Sequence, residues 1–123
     1  MVRTERVAFP KRGEVFLVNF DPTVGSEIRK TRPAVILQNN VGNRHSPLTI
    51  VVAVTSQVKA PLYPTEVQVR ASEGGLAKDS VVLLSQIRSI DRRRLVKRLG
   101  ALSDETMLQV GHAIEISLGL VEL

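Results

Sequence analysis

Two uninterrupted aliphatic runs, within residues 34–38 and 49–54, constrain this chain more than any other feature. Ala34-Val35-Ile36-Leu37 and Ile50-Val51-Val52-Ala53-Val54 are dominated by the β-branched residues Val and Ile, which pack well on a pleated sheet. A strand that is apolar at every position has no wet face, so both runs are expected to lie at the centre of a sheet covered on both sides. Asn39-Asn40-Val41-Gly42-Asn43 stands between them and reads as a turn, because Asn and Gly tolerate positive φ at low cost.

The rest of the pattern extends that sheet. Val15-Phe16-Leu17-Val18 is a short strand over residues 14–20, bounded by Gly13 and by Asp21-Pro22. Residues 65–70 alternate, with Val67 and Val69 on one face. Gly74-Gly75 marks a turn, and residues 80–84 and 87–90 form one bent strand or two short ones. Residues 23–31 hold Gly25, Ser26, Glu27, Arg29 and Lys30 and are expected to form a long, mobile, functional loop. Ser103 is placed to cap a helix whose first turn carries Asp104 and Glu105, favourable against the positive end of the helix dipole. Met107, Val110, Ile114, Ser117 and Leu118 follow at helical spacing, and Gly119 supplies a stop. Strands outnumber helices, so the expected fold is mostly β: a small barrel with a C-terminal helix.

A length of 123 residues fits a single domain, 1–123, with no linker or repeat. Lys and Arg exceed Asp and Glu by 17 to 12, a formal charge of +5. Such a field attracts polyanions, and nucleic acid is the first partner to consider, although charge alone also fits a merely soluble basic surface. The absence of cysteine excludes disulfides and thiolate chemistry and suits a reducing cytoplasm. Residues 1–12 are interrupted by charges throughout, which fits neither a signal peptide nor a membrane span.

Arg12-Gly13-Glu14-Val15, Pro22-Thr23-Val24-Gly25-Ser26-Glu27, Thr31-Arg32-Pro33-Ala34-Val35-Ile36 and Thr55-Ser56-Gln57 resemble, in this order, signatures of the MazF/PemK toxin family. The likeness continues through Asp79-Ser80-Val81-Val82-Leu83 and Gln86-Ile87-Arg88-Ser89-Ile90-Asp91 to Arg94-Leu95. The pieces are individually short, and their order over nearly the whole chain carries the resemblance. It implies an SH3-like β-barrel and a homodimeric, cytoplasmic endoribonuclease toxin (an mRNA interferase). It implies cleavage without metal or other cofactor: the ribose 2′-hydroxyl attacks the adjacent phosphorus, leaving a 2′,3′-cyclic phosphate and a 5′-hydroxyl. It also implies single-stranded RNA as substrate and an antitoxin protein as partner.

Carried over by motif, Arg32 resembles the catalytic arginine and Thr55 the threonine that holds the phosphate. A planar guanidinium donates two parallel hydrogen bonds to phosphate oxygens, so charge stabilisation is its natural role. Proton transfer by a group with a pKa above about 12 is harder physically. Taken without the family order, Arg32 reads more readily as a solvated or ion-paired residue before a proline, and Thr55 as a strand-end hydroxyl bonded to backbone. The resemblance places an RNA groove at Ser56, Gln57, Gln86 and Arg88, with Glu27 as a further contact that accepts from a base amino group or orients Arg32.

Aromatics are restricted to Phe9, Phe16, Phe20 and Tyr63, which disfavours broad base stacking. Tyr63 is the one candidate platform, set against packing on the barrel. His45 and His112 invite a two-histidine mechanism. His112 sits in the predicted helix as a structural or surface residue, and His45 reads better as an RNA or dimer contact. Asp91-Arg92-Arg93-Arg94 reads as a solvated basic turn. The alternatives are a gyrase-binding toxin of the CcdB kind on the same barrel, whose C-terminal tryptophan this chain lacks, and a plain RNA-binding barrel.

Overall fold

The computed structural model describes residues 9–27 and 30–123. The segment 1–8 and the loop residues Ile28 and Arg29 lie outside the described residues, so the expectations placed on them are not addressed. Six strands form one antiparallel sheet: β1 (Glu14–Asn19), β2 (Thr31–Ile36), β3 (Leu48–Thr55), β4 (Glu66–Val69), β5 (Ser80–Asp91) and β6 (Leu95–Ala101), in the order β4-β5-β3-β2-β1-β6. The two aliphatic runs belong to β2 and β3, neighbours at the middle of the sheet.

Both faces of these strands are buried, as the unbroken apolar pattern requires. Val35, Leu37, Val52 and Val54 join one cluster with Val15, Val82 and Leu84, under the C-terminal helix. Ala34, Ile36, Val51 and Ala53 point the other way and join Val18, Phe20 and Ile90. The helix α2 (Asp104–Ser117) starts where predicted: the Ser103 hydroxyl accepts from the Thr106 N–H at 3.1 Å. It ends in a Schellman motif, with Gly119 at φ 72°, Gly119 N–H bonded to the Ile116 carbonyl and Leu120 N–H to that of Glu115. Val110 and Ala113 are buried, with Met107 and Ile114 packed beside them. Leu118, predicted to share that face, lies past the helix and is 59% exposed.

The sheet curls toward a barrel but leaves an open seam, since β4 and β6 are its edges and do not pair. The turn at Glu73–Gly75, which follows β4, fills that seam. A Cβ on Gly75 would lie 2.1 Å from the Leu99 carbonyl oxygen, and one on Gly100 would lie 2.6 Å from the Gly74 carbonyl carbon. Only backbone fits there. The Glu73 carboxylate reaches onward to accept from Ser103 N–H at 3.1 Å, tying the seam to the start of α2.

Three local expectations are corrected. Residues 39–43 hold more than a turn: Asn39 caps a short helix, α1 (Asn40–His45), by accepting from Gly42 N–H at 2.7 Å. Strand β6 was not predicted, because its exposed Val96, Lys97 and Arg98 break any alternation. The basic turn is only partly solvated. Arg92 donates to the Asn43 carbonyl at 2.8 Å and lies over the Phe9 ring, and Arg94 donates to the carbonyls of Asn19 and Asp21. Only Arg93 stands out in solvent, paired with Asp91. Among the described residues no helix is long and apolar enough to cross a membrane.

Candidate active site

Proline shapes the end of the sheet where the candidate residues gather. Strand β2 pairs with β3 from Ala34 onward, in the register Ala34 to Ala53. Pro33, just before it, has no N–H to offer a ladder. Continuing the register two residues sets Arg32 across from Thr55, at strand ends that no longer pair with each other. Both follow from the chain's local chemistry: an exposed arginine forced into extended backbone by the next proline, and a threonine at the last position of a buried strand.

The Thr55 hydroxyl oxygen accepts from Gln57 N–H at 3.1 Å, which pins the turn leaving β3. Its own proton stays available for a second acceptor. Arg32 and Ser56 line one cavity of about 200 Å³ with Val54, Lys78 and Ser80. Glu27, Gln86 and Arg88 line another of about 210 Å³ with Phe20, Ala53 and Ser85. Gln57 faces a third, of about 300 Å³, with Lys59 and Tyr63. The end of β3 and the residues just after it contribute to all three hollows: Val54 and Ser56 to the first, Ala53 to the second and Gln57 to the third.

Strand β5 brings the second group into place by a bend. Val52 pairs with Ile87 and Val54 with Val82, so β5 spends five residues where β3 spends two. The excess pushes Ser85 and Gln86 out of the ladder beside Ala53, as a bulge re-aims side chains. β5 is therefore one strand, bent between the two segments read from sequence. Arg88, beyond the bend, donates to the Phe20 carbonyl at 2.8 Å and lies over its ring. The loop after β1 is closed at its base by Phe20 N–H to the Lys30 carbonyl and Lys30 N–H to Asp21. Within it, Glu27 accepts from Val24 N–H at 2.7 Å, which fixes its carboxylate at the rim.

Sequence reasoning missed Lys78, Ser85 and Phe20 as lining residues. Phe20 reads as the end of the first strand, and no motif marks Lys78. Tyr63 is not packed on the barrel, as the bland reading had it, but is 71% exposed. His45 and His112 are surface residues, the latter 3.9 Å from Glu115. Among the described residues no group of three or more His, Asp or Glu is placed to hold a metal ion.

A curled antiparallel sheet with a C-terminal helix packed on it, and with Arg32 and Thr55 at the ends of neighbouring strands, defines a small barrel-like β fold. Residues 11–118 match the family model described as PemK-like, MazF-like toxin of type II toxin-antitoxin system, and the chain belongs to that family. It is 45% identical over 112 residues to endoribonuclease EndoA of Bacillus subtilis, covering 91% of this chain and 97% of that protein. It is 47% identical over 110 residues to endoribonuclease MazF of Staphylococcus saprophyticus, covering 89% and 92% respectively. Among solved structures, MazF of Deinococcus radiodurans superposes with a TM-score of 0.78 at 31% identity, covering 92% of this chain and 99% of that one. A mycobacterial endoribonuclease in complex with its cognate antitoxin gives 0.77 at 25% identity, covering 93% and 99%.

Proposed function

We propose that this protein is an endoribonuclease, the toxin of a toxin–antitoxin pair, which cuts single-stranded RNA at a phosphate held between Arg32 and Thr55. The enzymatic class rests on the two relatives named endoribonucleases, each close to half identical across nearly its whole length. What supports the site is the register: carried two residues past the last β2–β3 pair, Ala34 and Ala53, it sets Arg32 across from Thr55, and Arg32 lines a cavity with Ser56, the neighbour of Thr55. A guanidinium and a hydroxyl brought to one substrate phosphate would suit a phosphorus that gains negative charge as the 2′-hydroxyl attacks and the 5′-oxygen leaves. Arg32 stabilises that charge, and Thr55 donates its free proton to a phosphate oxygen while its lone pair holds Gln57 in place. Glu27, Gln86 and Arg88 read the neighbouring base in their shared hollow, with Ser56 and Gln57 lining the path on either side of Thr55.

The same reading includes a single catalytic domain, a homodimer in the cytoplasm and an antitoxin whose acidic segment competes with RNA for the basic rim. The mycobacterial complex with a cognate antitoxin and the Deinococcus MazE-MazF structures support that partner. The test is to incubate wild type and Arg32→Ala with a long single-stranded RNA in EDTA, map the ends and assay for cyclic phosphate. Discrete cuts, a cyclic phosphate and loss of about 10² to 10⁴ in rate in a folded variant are expected. A folded Arg32→Ala protein that cuts at the wild-type rate sinks the mechanism.

A further inference from the structure

We propose that the hollow beside Tyr63 is a nucleotide subsite that extends the RNA track past Thr55, with the Tyr63 ring stacking on a base and Lys59 holding a phosphate. This rests on the reading of Arg32 and Thr55 as the cleavage site. Tyr63 is 71% exposed, and a large aromatic left in water supplies stacking surface at small conformational cost. Its backbone is nonetheless fixed: Tyr63 N–H donates to the Glu66 carboxylate at 2.9 Å, and Glu66 N–H donates to the Tyr63 carbonyl at 2.9 Å. A closed turn therefore presents the ring, with Pro64 following it.

The hollow, of about 300 Å³, is joined to the candidate cleavage site on two sides. Val81 lines it and pairs directly with Thr55 across β3 and β5. Gln57 lines it and gives its N–H to the Thr55 hydroxyl. Lys59 supplies positive charge on the rim, and the one carboxylate there, Glu66, is engaged by the turn. An exposed aromatic, an ammonium and an amide beside a phosphate site form the grouping that holds an unstacked nucleotide of a single strand.

The sequence has one tyrosine and no tryptophan, so fluorescence excited near the tyrosine maximum reports Tyr63 itself. The probe is a single-stranded RNA spanning a mapped cut site, with a 2′-deoxy sugar at the scissile nucleotide to prevent cleavage. Expected results are quenching that saturates with binding, about tenfold weaker binding for Tyr63→Ala, and near-wild-type binding for Tyr63→Phe. Shortening the RNA on one side of the scissile phosphate, and not on the other, should abolish the difference between wild type and Tyr63→Ala. If wild type cuts RNA but binding leaves fluorescence unchanged and Tyr63→Ala binds equally well, the subsite is overturned while the cleavage site stands. A wild type that neither binds nor cuts RNA overturns both.

Discussion

The Arg88 guanidinium donates to the Phe20 carbonyl at 2.8 Å while lying 5.8 Å from the centre of the same residue's ring. One side chain on β5 thus clamps the point where β1 ends and the Glu27-bearing loop begins. Arg88 holds that loop, a duty separable from the RNA contact proposed for it. Arg88→Ala is expected to lower stability by about 1–2 kcal/mol, the range for losing a charged hydrogen bond and a cation–π contact at a half-buried site. Arg32→Ala, at an exposed position, should change it by less than about 0.5 kcal/mol. Urea unfolding of both variants separates them, and equal midpoints would show that the clamp does not hold the fold.

The Thr55 hydroxyl oxygen accepts from Gln57 N–H, and in the proposed mechanism its proton goes to the substrate. Thr55→Val has nearly the same shape but neither function, whereas Thr55→Ser keeps both. Single-turnover cleavage should fall by about 10² to 10³ in Thr55→Val, the loss typical of one charge-stabilising donor. Thr55→Ser should stay within about tenfold of wild type on the same scale. A Thr55→Val enzyme as fast as wild type would reduce the hydroxyl to its backbone role.

What the sequence made legible follows from how each segment is buried. Val51, Val52, Ala53 and Val54 had to be central because no face of that run tolerates water, and both faces are indeed covered. Strand β6 lies at an edge, paired only with β1 through a broken register, so Val96 is 59% exposed and Lys97 and Arg98 face solvent. Its pattern is that of an edge kept from further pairing by charge. Helix α1 escaped notice because Asn39 and Gly42 serve equally as turn formers and as partners in an N-cap. Arg32 and Thr55 are singled out by their place in the family's motif order, since local sequence alone reads them as an arginine before a proline and a strand-end hydroxyl. Phe20, Lys78 and Ser85 come from separate parts of the chain, and they reach the hollows by way of the end of β1, the segment before β5 and the β5 bend.

The seam makes a sharper demand on sequence than any buried side chain. Gly75 has φ 75°, and a Cβ there would meet the Leu99 carbonyl oxygen at 2.1 Å, a clash with backbone that no rotamer relieves. Gly75→Ala should therefore cost about 3 kcal/mol or more, combining left-handed strain with displacement of β6. Gly111, in the middle of α2 with open space around it, is the control. Gly111→Ala should stabilise by about 0.4–1 kcal/mol, because alanine has the higher helix propensity. Thermal unfolding of the two variants should move in opposite directions, and a stable Gly75→Ala protein would mean that β6 can shift at little cost.

Glu73 couples that seam to pH. Burial pushes its carboxyl upward, but hydrogen bonds from Thr106 and Ser103 together outweigh burial and hold the pKa below the ordinary 4.5. A carboxylate with a lowered folded-state pKa adds stability that is fully present above its unfolded value and is lost as pH falls through the folded one. Below pH 4.5 the wild type should lose stability as Glu73 takes up a proton and its bonds to the start of α2 weaken. Asp91, also lowered, chiefly by hydrogen bonds from Arg93, contributes with the same sign. A comparison with Glu73→Gln cancels that contribution, because Asp91 is present in both proteins. Urea midpoints measured from pH 7 to pH 3 should therefore converge in the acid range, with wild type more stable at neutral pH and its advantage fading below pH 4.5. Curves that stay parallel throughout would mean that the Glu73 charge contributes nothing to holding the seam.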